Sequence, residues 1–280
     1  MVKRPPSFYH QYKLVDIKNG TNFYDEFIKN RKDEKRTKKQ KLKSLLGGVI
    51  YNSNNGKNSF DIGVKEYDDE TGIFVGRHGK CFFGRINKYQ PDTLIIQNFT
   101  YYNDCNTIKS FEKGKGMKRL MNTLIRYTKE HYPEIKQLQL DDEAVLLCES
   151  KIDNSIYRIY LPRLYFLKYG MGYYQYNFGF KLMNKRFNII LQDNKKKLEN
   201  FKLVKDNLIK DLKIGNLTQL PEIQKDVTTL FNDKNILNSV EISNQLELRY
   251  DCLFLNTLIN YIYAEAKIRD LMGASHTLTI

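Results

Sequence analysis

One segment constrains the fold of this 280-residue chain more than any other, because it changes from a strand-like to a helical pattern and back. The run TLIIQNFTYY is rich in β-branched and aromatic residues, as strands are. After a loop, apolar and small residues recur at a spacing of three and four, at Met117, Leu120, Met121, Leu124, Ile125 and Thr128. Pro133 then marks the stop before a strand-like run at 135–140. The segment predicts a helix over residues 117–130 that crosses between two parallel strands.

Short strand-like runs precede this segment from residue 47 onward. They read GGVIY, SFDIGVKEY, GIFVG and KCFFGRI, and turn sequences such as SNNG and YDDETG separate them. This spacing is typical of an antiparallel meander. The expected fold class is therefore α+β, with a mixed, mostly antiparallel sheet flanked by helices.

The last hundred residues have helical spacing instead. The longest apolar series predicts one helix that packs on the sheet or on another chain, through Leu253, Leu255, Leu258, Ile259, Ile262, Ala266 and Leu271. Three parts follow: a basic N-terminal arm over residues 1–46, a sheet domain over 47–190 and a helical C-terminal extension over 191–280. The C-terminal helices are where we expect a homo-oligomer contact or an assembly partner.

The charge of the chain favours an anionic partner. Lys and Arg number 46 against 32 acidic residues, a net charge of +14. The densest basic run begins at Lys29 and ends at Lys43. Contact with nucleic acid or an anionic surface is one interpretation of this run, and a solvated linker is the other.

Location can be inferred from what the sequence contains. We expect no membrane span, since the most apolar stretch is short and carries Asn256 and Asn260. The four cysteines are far apart, which predicts reduced thiols, no zinc site and a cytoplasmic protein. The bias toward Tyr, Asn, Ile and Lys resembles that of large DNA viruses with AT-rich genomes, which implies the host cytoplasm or the virion.

The turn before the crossover helix is a candidate phosphate site. It consists of Lys113, Gly114, Lys115, Gly116, Met117 and Lys118. Glycines let backbone N–H groups approach a phosphate, and a helix N-terminus attracts anions. The spacing fits neither a Walker A loop nor a Rossmann fingerprint. A plain basic loop before a helix remains the alternative.

The meander, this turn and the crossover helix together resemble the GNAT superfamily of N-acetyltransferases over residues 47–182. In that family an Arg/Gln-x-x-Gly-x-Gly/Ala turn binds the pyrophosphate of acetyl-CoA. The resemblance implies that residues 113–118 bind acetyl-CoA, with Lys113 for Arg or Gln and Lys118 for a small residue. It also implies acetyl transfer to an amine of a protein or a small molecule. A catalytically inactive GNAT-like structural or virion assembly protein, and a basic nucleic-acid-binding protein, are the alternatives.

Catalytic candidates follow from a second stretch. Residues 165–171 are similar to the family's Tyr-x-Lys-x-Gly-Phe ending, but Phe166 occupies the position of the usual general-acid tyrosine. The acid would then be Tyr165 or Tyr174. Asp142, in the acidic run after the second strand, could take a proton from an ammonium substrate or bind it; simple solvation of a strand end is the alternative. The four histidines, His10, His78, His131 and His276, are isolated in sequence and receive no catalytic role.

Overall fold

The computed structural model describes residues 49–52, 59–75, 81–99, 115–246 and 249–280. The predicted arm over residues 1–46, with its basic run from Lys29 to Lys43, lies outside them. The first five strands are β1 (Val49–Asn52), β2 (Ser59–Glu66), β3 (Glu70–Val75), β4 (Phe82–Asn87) and β5 (Gln90–Phe99). From β2 to β5 each strand pairs antiparallel with the next one in the chain. The predicted meander is confirmed.

The crossover helix is α1 (Lys115–His131), and it is followed by β6 (Gln137–Asp141). Its buried side is formed by Leu120, Met121, Leu124 and Tyr127, which pack on the meander. On the opposite side Lys118 and Arg119 are exposed. β5 and β6 pair in parallel, as the helix between them predicts.

After β6 the chain forms a separate hairpin and two short helices. These are β7 (Val145–Glu149), β8 (Ile156–Tyr160), α2 (Leu161–Tyr169) and α3 (Tyr173–Phe178). Gly170, with φ of 68°, ends α2, and Gly179, with φ of 77°, ends α3. Both are in left-handed conformation, which glycine adopts without strain. The short strand β9 (Lys181–Leu182) follows directly.

A helical segment comes next. Its helices are α4 (Lys185–Asn200), α5 (Lys205–Ile214), α6 (Pro221–Phe231), α7 (Ser239–Gln245) and α8 (Cys252–Glu265). Two three-residue strands, β10 (Lys202–Val204) and β11 (Ile236–Asn238), pair antiparallel beside them. No helix in the described ranges is long and apolar enough to cross a membrane.

The chain then returns to the sheet, which corrects the expectation of helix over the last hundred residues. The long helix expected to reach Leu271 ends at Glu265, and Lys267 and Gly273 then have φ of 52° and 75°, which cannot continue a helix. The strand β12 (Ser275–Thr279) follows. The eight-stranded sheet has the order β1-β2-β3-β4-β5-β6-β12-β9, and β12 is antiparallel to both neighbours.

The described residues bury two apolar clusters. One lies between the sheet and α1, and it includes Phe60, Ile73, Phe82 and Leu138. The other is built by the helical segment together with α2 and β8. The predicted stripe of α8 belongs to this second cluster, where Leu258 and Ile262 are buried and Leu253 is partly buried.

A disulfide joins Cys148 in β7 to Cys252 at the start of α8. The prediction of reduced thiols is therefore wrong for this pair. The two residues are 104 positions apart in the chain, yet their Cα atoms are 5.7 Å apart. Sequence spacing reveals a disulfide only when the partners belong to a recognisable local pattern. The cytoplasmic location inferred from the cysteines stays a prediction.

Candidate functional site

The parallel pair β5–β6 is hydrogen-bonded along only part of its length. The register joins Thr93 to Gln137, Leu94 to Leu138 and Ile95 to Gln139. Both strands continue beyond these pairs, β5 to Phe99 and β6 to Asp141. There β5 remains paired with β4, and β6 remains paired with β12. The sheet consequently opens between the C-terminal ends of β5 and β6.

A β-bulge lies in β5 where this opening begins. Gly84 of β4 pairs with Ile96, but its neighbour Phe83 pairs with Asn98, so that Gln97 is an extra residue on β5. A bulge bends its strand and increases the local twist. The bulge therefore explains why β5 diverges from β6 after Ile95.

At the other end of the pair, side chains hold β5, β6 and β12 together. The amide of Gln137 donates to Thr93 Oγ1 over 2.7 Å and accepts from Thr277 Oγ1 over 3.2 Å. Thr93 is fully buried and its hydroxyl donates to Asp92 over 3.0 Å. The strands are therefore fixed at one end and separated at the other.

The first turn of α1 lies on the same edge of the sheet as the opening. The helix ends at His131 and β6 starts at Gln137, so the C-terminal end of α1 is close to the start of β6. Because α1 packs along the sheet, its first turn lies toward the edge where β6 ends. In open parallel sheets, ligands bind at the edge formed by the C-terminal ends of the strands.

Part of the predicted cofactor turn is described. Lys113 and Gly114 lie outside the described residues, and Lys115 is placed only as the first residue of α1. Gly116 is buried, Met117 is half-buried and Lys118 is exposed. The Lys118 side chain therefore faces solvent in the described part of the turn.

Tyr174, a predicted catalytic residue, lies beside the opening. It is only 5% exposed, and its ring centroid is 6.3 Å from that of Phe99 at the end of β5. Phe178 and Phe180 pack on its other sides at 5.9 Å. Burial, followed by the nearby Asp142 carboxylate and Tyr173, raises the pKa of Tyr174, so its hydroxyl stays protonated at physiological pH.

Asp142, the second predicted catalytic residue, is the first residue after β6. Its N–H donates to the Ala274 carbonyl over 3.1 Å, and its own carbonyl accepts from the Gly273 N–H over 3.0 Å. These two hydrogen bonds fix the backbone of Asp142. Its side chain is 1% exposed, whereas Asp141 and Glu143 are exposed. Solvation of a strand end therefore explains its two acidic neighbours but not Asp142.

The Asp142 carboxylate lacks the partners that a buried charge needs. Neither oxygen has a hydrogen bond from any described residue. Burial raises the pKa of Asp142 to about 7, an effect that the nearby backbone N–H groups of Tyr174, Ala144 and Tyr173 partly offset without reaching hydrogen-bond geometry. A Cβ added to Gly172 would lie 2.8 Å from Asp142 Oδ2, so this glycine gives the carboxylate its space.

Tyr165, the third predicted catalytic residue, lies further out. It is on α2, where its ring contacts Tyr169, Tyr173 and Tyr176 at centroid distances of 5.3, 5.0 and 5.6 Å. Tyr173 connects it to Tyr174, whose ring centroid is 5.1 Å away. The structure thus brings Asp142 and Tyr174 to one place and leaves Tyr165 one aromatic ring away from them.

His276 in β12 is a site residue that the sequence did not reveal. It is 2% exposed, and its Nδ1 lies 2.6 Å from the carbonyl oxygen of Ala274. Burial lowers the pKa of His276, and the Ala274 carbonyl and the Asp141 charge partly offset this effect. The alternating pattern of SHTLT predicts a strand with its histidine on the buried face. The pattern does not predict that this strand lies beside Asp142.

Comparison of the chain with protein-family models, with curated proteins and with solved structures gives no match.

Proposed function

We propose that this protein is a GNAT-like N-acetyltransferase that transfers an acetyl group from acetyl-CoA to an amine. The observation that supports it is the opening of the parallel pair β5–β6 at a β-bulge, with the first turn of the crossover helix on the same edge. A thioester can enter such an opening because the facing backbone groups of the two strands are not bonded to each other there.

The residues of α1 fit the pyrophosphate of the cofactor. The first N–H groups of a helix have no partner within the helix and carry a partial positive charge, and α1 has 17 residues. Gly116 in that turn has no Cβ to hinder approach. The exposed Lys118 can add a positive charge beside the phosphates.

Two side chains fit the proton transfers that the reaction requires. Acetyl-CoA would supply an activated acetyl group on a thiol leaving group. Asp142, with a pKa near the physiological range, suits the removal of a proton from the ammonium form of the acceptor. Tyr174 keeps its proton, so its hydroxyl suits donation to the departing thiolate.

An inactive GNAT-like structural or assembly protein is the second candidate, and one observation favours it. Phe178 and Phe180 pack with Tyr174 close to Phe99, so aromatic side chains already occupy space beside the opening. Asp142 is almost completely buried, which leaves an acceptor little access unless the surrounding side chains move. Cofactor binding separates the two candidates.

The decisive experiment is a thermal unfolding titration with coenzyme A. A ligand at a hundredfold excess over its Kd stabilises the folded state by about 2.7 kcal/mol. For a chain of this size we expect a rise in Tm of about 5 to 10 °C. No rise at millimolar coenzyme A would refute the enzyme and leave the structural candidate.

Variants of the α1 turn locate the binding. Gly116→Val should abolish the rise in Tm, because a branched side chain blocks the backbone N–H groups. Lys118→Ala should reduce the rise and make it less sensitive to salt, since only a screened attraction is lost. The matched control is Gly63→Val in β2, where an added Cβ meets nothing within 4 Å; a loss of binding in this control would contradict the assignment.

A further inference from the structure

A small cavity lies behind Gly172, next to the opening but on the side of β12. Asp142, Gly172, Gln175 and His276 contribute to its wall. Its volume of ≈ 20 Å³ is the space that one water molecule needs. A buried carboxylate without a hydrogen-bond partner therefore borders a space of the size of one water.

The orientation of His276 directs one ring nitrogen toward the same space. Nδ1 faces the Ala274 carbonyl, which can only accept, so the proton of the neutral ring is on Nδ1. Nε2 is then an acceptor. A Cβ on Gly172 would be 2.8 Å from Asp142 Oδ2 and 3.9 Å from His276 Nε2, so both atoms lie near the same side of Gly172.

We propose that Asp142 and His276 share one proton through a single water molecule bound between Asp142 Oδ2 and His276 Nε2. His276 is thus a positioning residue for the Asp142 carboxylate. The water donates to one of the two groups and accepts from the other, which satisfies the carboxylate that is otherwise unpartnered.

Other titratable and charged groups surround the pair, and each is bonded to another side chain, exposed to solvent or neutral. They are Asp141, Glu143, Tyr173, Tyr174, Arg269 and Asp270. Asp141 accepts a hydrogen bond from Ser275, Arg269 is paired with Asp193, and Asp270 is paired with Arg163. Glu143 is exposed, and the two tyrosines are neutral at physiological pH. The buried Asp142 and His276 are left to exchange the proton.

The use of this proton rests on the proposed function, although the sharing is a property of the free protein. When the acceptor ammonium loses its proton, an N–H bond breaks and an O–H bond forms on Asp142. The water hydrogen-bonds this O–H group to His276 Nε2, and because burial raises the pKa of Asp142 and lowers that of His276, the shared proton stays mainly on Asp142. The pair therefore provides a temporary position for the one proton that each acyl transfer releases.

The test is a pH titration of the full-length protein labelled with ¹⁵N-histidine and followed by NMR. His276→Gln assigns the resonances, and the ¹⁵N shifts report which nitrogen carries a proton. We expect the Nε2 signal of His276 to show an inflection near pH 7, where Asp142 titrates. Asp142→Asn should remove this inflection, and Asp141→Asn should keep it.

Gly172→Ala tests the geometry of the pair. Gly172 has φ of −67°, which alanine adopts, but the added methyl group would lie 2.8 Å from Asp142 Oδ2, so the carboxylate must move and the water loses its place between the two groups. We expect the inflection to be lost, whereas Gly63→Ala should retain it. An inflection that persists in Asp142→Asn or in Gly172→Ala, or that is absent from the unmodified protein, overturns the proposal. Coenzyme A binding is scored separately, so a failed acetyltransferase and a failed proton pair give different results.

Discussion

At the end where the β5–β6 pairing begins, Thr93, Gln137 and Thr277 satisfy one another's hydrogen bonds across three strands. At the other end of the same two strands, the Asp142 carboxylate is as buried as Thr93 but has no such partner. The two ends share one sheet and one apolar cluster, although Gln137 and Thr277 are only partly buried. Their difference shows that the first end favours stability, while the second keeps a costly group whose value must lie elsewhere.

Replacing the leucines of β6 tests whether the paired end is the more tightly packed. Leu138 has strand neighbours on both sides, Leu94 and Leu278, whereas Leu140 pairs only with His276. Buried Leu→Ala changes cost about 2 to 5 kcal/mol, depending on how well the site can collapse. We expect about 4 kcal/mol for Leu138→Ala and about 2 kcal/mol for Leu140→Ala, measured by urea unfolding. An equal or larger loss for Leu140→Ala would contradict the comparison.

The open end should give stability an unusual dependence on pH. Burial raises the pKa of Asp142 to about 7 in the folded protein, so the folded state keeps a proton that the unfolded chain releases above about pH 4. The retained proton contributes fully to the free energy of unfolding below that pH. This contribution is lost as the pH rises toward 7, by about 1.4 kcal/mol per pH unit. The contribution of Asp142 alone should fall by about 2 to 3 kcal/mol between pH 5 and 7. The lowered pKa of His276 acts in the opposite direction, so the effect is measured as the difference in urea unfolding between the unmodified protein and Asp142→Asn.

The control for this prediction is the neighbouring residue. Asp142→Asn should remove most of the loss between pH 5 and 7, whereas Asp141→Asn should keep it, since Asp141 is exposed. If the two variants gave the same pH profile, the unpartnered carboxylate would not be the cause.

The smallest effect is expected from the hydrogen-bond chain at the paired end. Gln137→Ala removes the link between Thr93 and Thr277, but the Thr93 hydroxyl keeps its bond to Asp92. A net cost of about 1 kcal/mol is typical of such a loss. The control is Gln139→Ala, two residues along the same strand, which leaves the hydrogen bonds between Thr93, Gln137 and Thr277 intact. A cost at Gln139 as large as that at Gln137 would show that the chain contributes nothing specific.

Sequence patterns predicted the part of the site that depends on local periodicity. The helix α1 was expected over residues 117–130 and is found at Lys115–His131, since its apolar spacing is decided within the segment itself. The parallel pairing of β5 with β6 followed from that helix. Asp142 is a candidate from the acidic run after β6, and Tyr174 is one from the resemblance to the GNAT ending; the structure places the two residues close together.

The remaining features depend on contacts between distant parts of the chain. The position of His276 near Asp142 and the disulfide between Cys148 and Cys252 both join residues that are far apart in the sequence. No local spacing indicates such contacts. The bulge at Gln97 arises from the register of two strands, which a single strand does not encode. β12 was missed because the helical pattern before it was extended through Lys267 to Leu271, past the left-handed backbone that ends the helix.

The place of β12 between β6 and β9 has a consequence for the order in which the molecule folds. Ser275 and Asp141, which pair across β12 and β6, are 134 residues apart in the chain. Contacts between such distant residues form late, because a long loop must close before they can stabilise anything. The helices from α4 to α8 lie within that loop. Asp142 and His276 consequently meet only after the intervening chain has become compact, so a ligand of their cavity would act as a reporter of completed folding.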